Sequence, residues 1–267
     1  MIDNRQSVRV KAFCVGQAKS GTASLVGLLS ANYRAAHEPE REEILSMILR
    51  ESRGELSTAA FRECLHQRDA RLNLEYDVAW ANQFIIDHLL HLFPDSKFII
   101  LIRDSYTWLQ SVTGHLISRD VPSDVLAFLK WWFKPERYPH SRYDRGLAEQ
   151  GLFSIAAYLQ AWNQHIDECT QSIPAYRRLV LRTHELARTH RRLADFLRIP
   201  GDSLDVDRGY QNRSTWSDRI ESFVDPAYID DMIQSICADN MALHFPELTS
   251  AQDVSKLWKA VPGELLT

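Results

Sequence analysis

The sequence predicts a single α/β domain, residues 1–267, with a central parallel β-sheet flanked by helices. Three observations predict it. Phe98 to Ile102 is a continuous apolar run, as expected of a strand buried on both faces of a parallel sheet. Short strand-like stretches alternate with longer runs of helical apolar spacing. The first strand feeds a helix through a turn bracketed by Gly16 and Gly21. A chain of 267 residues, 45% of them hydrophobic, can bury a sizeable core.

The first strand and its turn come from Val8 to Leu29. Val8, Val10, Ala12 and Cys14 alternate with the rest of the run as strand residues do. Leu25, Leu28 and Leu29 then fall at the spacing of a core-facing helix stripe. A strand that enters a helix through a glycine turn aims backbone N–H groups at one point and forms an anion site. Lys19 supplies a cation there, and Ser20, Thr22 and Ser24 supply hydroxyls; Ala23 adds its amide. An ordinary βα turn with an exposed lysine is the competing reading. A Walker loop would place Lys after the second glycine, followed by Ser or Thr for magnesium. Here Lys19 precedes Gly21 and Thr22 follows it, so no metal is implied. The G-x-G-x-x-G pattern of a dinucleotide fold is also absent.

The chain continues with Tyr33 to Glu40, ended by Pro39, which places His37 and Glu38 at a strand's carboxyl end. Ligands bind at that edge of such sheets. A helix is expected over Glu40 to Arg50, and a second, capped by Ser57, burying Phe61, Cys64 and Leu65. Arg71 to Asp77 alternates as a half-buried strand and presents Asp77 at its end. His88 and His91 follow on a helix as partly exposed residues, without a recognisable third ligand for a metal. After the Phe98 to Ile102 strand, Arg103 stands at its carboxyl end, and a helix from about Ser105 carries Ser111. A forked guanidinium and a hydroxyl so spaced can converge on one dianion. The other reading is an Arg103–Asp104 surface pair and a helix serine.

Val121 to Gln150 breaks the strand–helix rhythm with Trp131, Trp132, Phe133, Tyr138 and Tyr143. This excursion, around residues 119–150, is either an acceptor-side lid or a helical subdomain whose tryptophans are core. A long helix is expected over Ala148 to Ile173, and a strand over Arg177 to Arg182. A helix then opens at His184-Glu185-Leu186, and a last one spans Pro226 to Asn240 before an uninformative tail. Arg208, Asn212 and Arg213 lie in a polar, turn-like stretch.

The order Lys19-Ser20-Gly21-Thr22 resembles the 5′-phosphosulfate loop of sulfotransferases that use 3′-phosphoadenosine 5′-phosphosulfate (PAPS). Arg103 and Ser111 are similar to that family's 3′-phosphate motif. The strand followed by Glu185-Leu186 matches a further element, with His184 where an aromatic near the adenine is common. Asn212 and Arg213 are a softer match to a late basic loop over the nucleotide. The resemblance implies a P-loop NTPase-like sulfotransferase fold, PAPS as co-substrate and no metal. It implies transfer to a hydroxyl of a small-molecule, carbohydrate or lipid acceptor. The candidate bases are Glu38 first, then His37, with Asp77 as the outsider. A P-loop kinase-like phosphotransferase and a catalytically inactive nucleotide-binding module are the alternatives.

Net charge −4 argues against general affinity for nucleic acid. Cys14, Cys64, Cys169 and Cys237 are scattered, as expected in a reducing cytoplasm. No stretch has the length and apolarity of a signal peptide's core or a membrane span, so a cytoplasmic enzyme is expected. The sequence leaves the oligomeric state and the identity of the acceptor open.

Overall fold

A computed structural model describes residues 10–118, 120–186, 188–209 and 220–254. Among them five parallel strands form one sheet in the order β2-β3-β1-β4-β5. They are β1 (Ala12–Cys14), β2 (Ala35–His37), β3 (Tyr76–Val78), β4 (Lys97–Ile102) and β5 (Arg178–Arg182). The central strand β1 pairs Phe13 with Asp77 on one side and with Phe98 on the other. The chain order reverses at β1, since β3 lies on one flank and β4 on the other. The carboxyl end of β1 is therefore the switch point where ligands bind in such sheets.

The sheet is buried on both faces, which explains the apolar run in β4. Phe13, Phe98, Ile100 and Ile102 face one core, while Ala12, Cys14, Ile99 and Leu101 face the other. Helix α1 (Thr22–Leu29) packs Leu25, Leu28 and Leu29, all fully buried, on the second face. Burial of each such leucine contributes roughly 1.5–3 kcal/mol. Helix α9 (His190–Leu197) joins it there through Leu193, Ala194 and Leu197. The first face carries α2 (Arg41–Ser52), α3 (Thr58–Leu72), α4 (Ile86–Leu92), α5 (Ser105–Ile117), α6 (Ser123–Phe133) and α8 (Ile155–Ser172), whose buried apolar residues belong to one core. The short α7 (Arg145–Glu149) precedes α8, and α10 (Pro226–Ile236) and α11 (Ala238–His244) close the described chain. Side-chain caps start several of these helices: Ser57 accepts from the Ala60 amide, Asp104 from Thr107 and Ser154 from Ala157.

Several expected elements are corrected. The half-buried strand expected over Arg71 to Asp77 begins as helix, because α3 runs through Leu72. Asn73 then takes a left-handed turn at φ 46°, and the strand is only Tyr76–Val78. Cys64 is exposed, not buried beside Phe61 and Leu65. The helix expected from Ala148 to Ile173 is two pieces, since Gly151 turns at φ 70° and Ser154 caps a new start. Beyond β5 comes a 3-10 turn, Thr183–Glu185, and α9 begins later, at His190. The last helix divides at Cys237 into α10 and α11, and the supposed tail buries Phe245 completely. His88 is buried, with Nε2 2.9 Å from Glu51 Oε2, where a partly exposed histidine was expected. Val8 lies outside the described residues.

The aromatic excursion is packed. Trp132 stacks on Trp80 at 5.4 Å, and Phe128 meets Trp80 and Phe84 edge-on. Trp80 in turn directly follows the β3 edge of the site. No helix among the described residues is long and apolar enough to cross a membrane.

Candidate functional site

The loop between β1 and α1 is held from outside by its carbonyls. Gln17 O accepts from the Ser20 amide and hydroxyl, at 3.1 and 2.6 Å. Ala18 O accepts from Trp108 Nε1 at 2.9 Å, and Lys19 O from the Arg103 guanidinium at 3.2 Å. Ser20 O accepts from Thr183 Oγ1 at 2.6 Å. Trp108, Arg103 and Thr183 pull the Ala18, Lys19 and Ser20 carbonyls outward, and the opposite face of the loop is left to N–H groups. Lys19 and Gly21 take left-handed turns, at φ 70° and 99°. Alternation of this kind builds an anion-binding concavity. A side chain at Gly16 would place Cβ 2.7 Å from Leu101 Cβ, so only glycine passes there. At α1 the N-cap is Gly21, which offers no side-chain cap. The first amides of a helix have no partner within it. They face the loop's concavity together with the positive end of the helix dipole.

The second group stands at the end of β2. His37 Nε2 lies 3.0 Å from Thr22 Oγ1 and 3.7 Å from Glu38 Oε1. Sequence reasoning expects neighbours on a strand to face opposite ways, with Pro39 holding Glu38 extended. Glu38 instead adopts φ 52° and leaves the strand by a left-handed turn. That turn swings its carboxylate round to the same side as His37. Such a conformation before proline is strained, by about 1–3 kcal/mol, and strain of this kind collects at functional sites. The Trp80 amide donates to Glu38 Oε1 at 3.1 Å, while Oε2 is buried with no hydrogen bond among the described residues. Burial pushes the Glu38 carboxyl up to about 8. The Trp80 hydrogen bond and the Arg41 charge pull against that rise, and Asp77 adds to it. His37 is held below its ordinary value by desolvation and by Arg41, so its imidazole is neutral near pH 7.

Asp77 is fully buried and occupied. Arg68 donates to its Oδ2 at 2.6 Å, and Asn82 Nδ2 to its Oδ1 at 3.2 Å. Arg68 also binds the Pro39 carbonyl at 2.7 Å, which ties the His37–Glu38 corner to the sheet beneath it. Asp77 thus supports that corner from below.

Arg103 and Ser111 come together at the other end of the loop. They border a cavity of about 310 Å³ shared with Thr107, Gln110, Ile220 and Ile229. Arg103 Nε donates to Thr107 Oγ1 at 2.9 Å. The Ser111 hydroxyl is buried and makes no hydrogen bond among the described residues. A buried hydroxyl without a partner is expensive, and a ligand oxygen beside it would relieve that cost. His184 is not presented as a stacking surface: it is 6% exposed, its ring tilted against Phe245. Asn212 and Arg213 lie outside the described residues. Among the described residues no group of three His, Cys, Asp or Glu is placed to hold a metal ion.

Sequence reasoning passed over Thr183, and it placed Trp80 at a strand end and Trp108 on a helix without giving either a role; these three hold the loop and Glu38. Thr183 had a signal, since it ends a strand beside β4 at the ligand edge. Trp108 and Trp80 act through one N–H each, and no spacing announces that.

The profile described as Sulfotransferase domain matches residues 11–203. No curated protein matches the chain in sequence. The chain is similar in structure to a sulfotransferase from Alicyclobacillus acidocaldarius, at 16% identity and TM-score 0.52, covering 88% of this chain and 93% of that one. It is also similar to the sulfotransferase STF9 from Mycobacterium avium, at 14% identity and TM-score 0.52, covering 91% and 79%. These two likenesses agree with the parallel sheet and its flanking helices. The matched stretch contains the β1–α1 loop, the His37–Glu38 corner, Arg103 and Ser111, and the chain belongs to the sulfotransferase family.

Proposed function

We propose that the protein moves a sulfuryl group from PAPS to a hydroxyl of a small-molecule, carbohydrate or lipid acceptor. The observation that carries this reading is the β1–α1 loop. Its carbonyls are tied outward and its uncapped helix start lies between Arg103 on one flank and His37–Glu38 on the other. One side is suited to hold the nucleotide's phosphates, and the other to receive a proton.

The roles follow from charge. When the sulfuryl group leaves, negative charge grows on the oxygen that remains with the nucleotide. Lys19 and the amides of Gly21, Thr22, Ala23 and Ser24 stabilise that charge as an oxyanion hole does; Ser20, expected among the donors, has its amide and hydroxyl turned to the Gln17 carbonyl instead. Arg103 and the unpartnered Ser111 hydroxyl hold the 3′-phosphate, which fixes the donor's register. Glu38 takes the proton of the attacking hydroxyl, since a carboxyl near 8 balances basicity against ionisation. The four cysteines are free thiols, which fits a reducing compartment.

Adenosine 3′,5′-bisphosphate should raise the melting temperature with a metal chelator present, because binding to the folded state alone stabilises it. At a ligand concentration of about 100 times Kd the gain is about 2.7 kcal/mol. A shift with ATP–magnesium and none with the bisphosphate would favour a kinase-like enzyme instead. Turnover of labelled PAPS with a panel of hydroxylated acceptors then separates an enzyme from an inactive binding module.

The two flanks should also separate kinetically. The 3′-phosphate is unchanged by transfer, so its contacts are nearly equal in ground and transition states. Arg103→Ala and Ser111→Ala are expected to raise KM for PAPS about tenfold or more, with a smaller effect on kcat. An unchanged KM in both variants would remove these residues from the donor site.

A further inference from the structure

Thr22 joins the loop to the base corner through a single hydroxyl, and a hydroxyl has one hydrogen to give. Its Oγ1 lies 3.0 Å from His37 Nε2, the one hydrogen bond this side chain makes among the described residues. Thr22 is buried, at 6% exposure. If His37 donated to it, the hydroxyl hydrogen would have no protein acceptor among the described residues, which is costly for a side chain so little exposed. In the ligand-free protein Thr22 therefore donates, and Nε2 is the bare nitrogen of a neutral ring that carries its hydrogen on Nδ1. Nδ1 has no such constraint, since the His37 side chain is 41% exposed and water can serve it.

Thr22 is also the first residue of α1, at the concave face of the loop. The oxygens of a bound phosphosulfate accept hydrogen bonds and cannot donate them. A phosphate that takes the Thr22 hydrogen leaves the hydroxyl only its lone pairs to offer His37. The pair can then persist only if Nε2 carries a hydrogen.

We propose that Thr22 is a positioning residue that couples donor binding to the base: occupancy of the loop reverses the Thr22–His37 hydrogen bond and fixes His37 with its hydrogen on Nε2. This inference rests on the donor reading of the loop given above. The exchange conserves protons: one leaves Nδ1 to water and one arrives at Nε2 from water, and the ring stays neutral. With Nε2 protonated, its hydrogen lies between Thr22 Oγ1 and Glu38 Oε1, the latter 3.7 Å away. Nε2 then has no lone pair to offer the acceptor, the ring's lone pair moves to Nδ1, and Glu38 is left as the proton acceptor beside Thr22. Arg41, the charged neighbour that acts on both groups, opposes a second proton on the ring. Before the donor arrives, Nε2 accepts from Thr22 and is not free to act either.

The test is nitrogen-15 spectroscopy of the histidine rings, with and without adenosine 3′,5′-bisphosphate, in wild type, Thr22→Val and Thr22→Ser. In wild type, the His37 Nε2 signal should move from the bare-nitrogen region to the N–H region at saturation. Thr22→Ser should keep that movement. Thr22→Val should lose it while still giving a thermal shift with the nucleotide; Thr22→Ala serves the same purpose if valine crowds the site. A thermal shift without any change at His37 overturns the coupling and leaves the donor reading intact. The same ring change in Thr22→Val also overturns it, because the nucleotide would then act on His37 directly. No thermal shift in wild type overturns the donor reading, and the coupling with it.

Discussion

Glu38→Gln is expected to lower kcat about 10²–10⁴-fold while leaving the affinity for adenosine 3′,5′-bisphosphate nearly intact. Glutamine keeps the shape and the acceptor for the Trp80 amide, and removes the group that accepts a proton. The same substitution should stabilise the fold, and the sign follows from linkage. The folded-state carboxyl sits at about 8 against 4.5 for the free side chain. Between those values the folded protein holds a proton that the unfolded chain has released, so stability falls as pH rises through that window. Glutamine has no proton to lose. The variant should match wild type below about pH 4.5 and exceed it increasingly up to about pH 8. Near pH 7 the difference is expected to be about 2–3 kcal/mol, or several degrees in Tm. Paired Tm and kcat measurements across pH check both halves. A variant with near-normal turnover, alongside an inactive His37→Gln, would move the base to His37. Wild-type kcat/KM should rise with pH through about 8, as the free carboxyl ionises.

Lys19→Ala should lower kcat by about 10²-fold or more, because Lys19 is assigned to the charge that appears only in the transition state. The loop should survive the change. Arg103 grips the Lys19 carbonyl, not its side chain, and Ala18 and Ser20 are held by Trp108 and Thr183. Alanine at φ 70° is strained no more than lysine is. Single-turnover rates with saturating PAPS isolate the chemical step. An unchanged rate would show that the loop amides alone carry the developing charge. Adenosine 3′,5′-bisphosphate should bind the variant within a few-fold of wild type.

The elements legible in sequence are those set by burial over several residues. The Phe98–Ile102 run marks β4 because both its faces are covered, and the Leu25, Leu28, Leu29 stripe marks α1 because one face is. Ser57 announced its helix by a local hydrogen bond that needs no tertiary contact. The failures have equally physical causes. Leu72, Leu74 and Tyr76 alternate over too few residues to distinguish a strand from a helix end followed by a turn. The turn at Glu38 runs against a local rule. Its corner is held by tertiary partners: Arg68 on the Pro39 carbonyl and Trp80 on the carboxylate. Sequence reasoning thus named His37 and Glu38 as candidates but placed them on opposite sides. It also offered Asp77 as a third candidate base, blind to Arg68, nine positions away on α3, which pairs with it.

The three outward bonds of the β1–α1 loop bear on time as well as energy. A loop that ordered itself around its ligand would surrender roughly 1–2 kcal/mol per residue of affinity to lost backbone entropy. Here that entropy is already gone when the chain folds. Association with the nucleotide then has no slow closing step at this loop, and encounter and desolvation set its pace there.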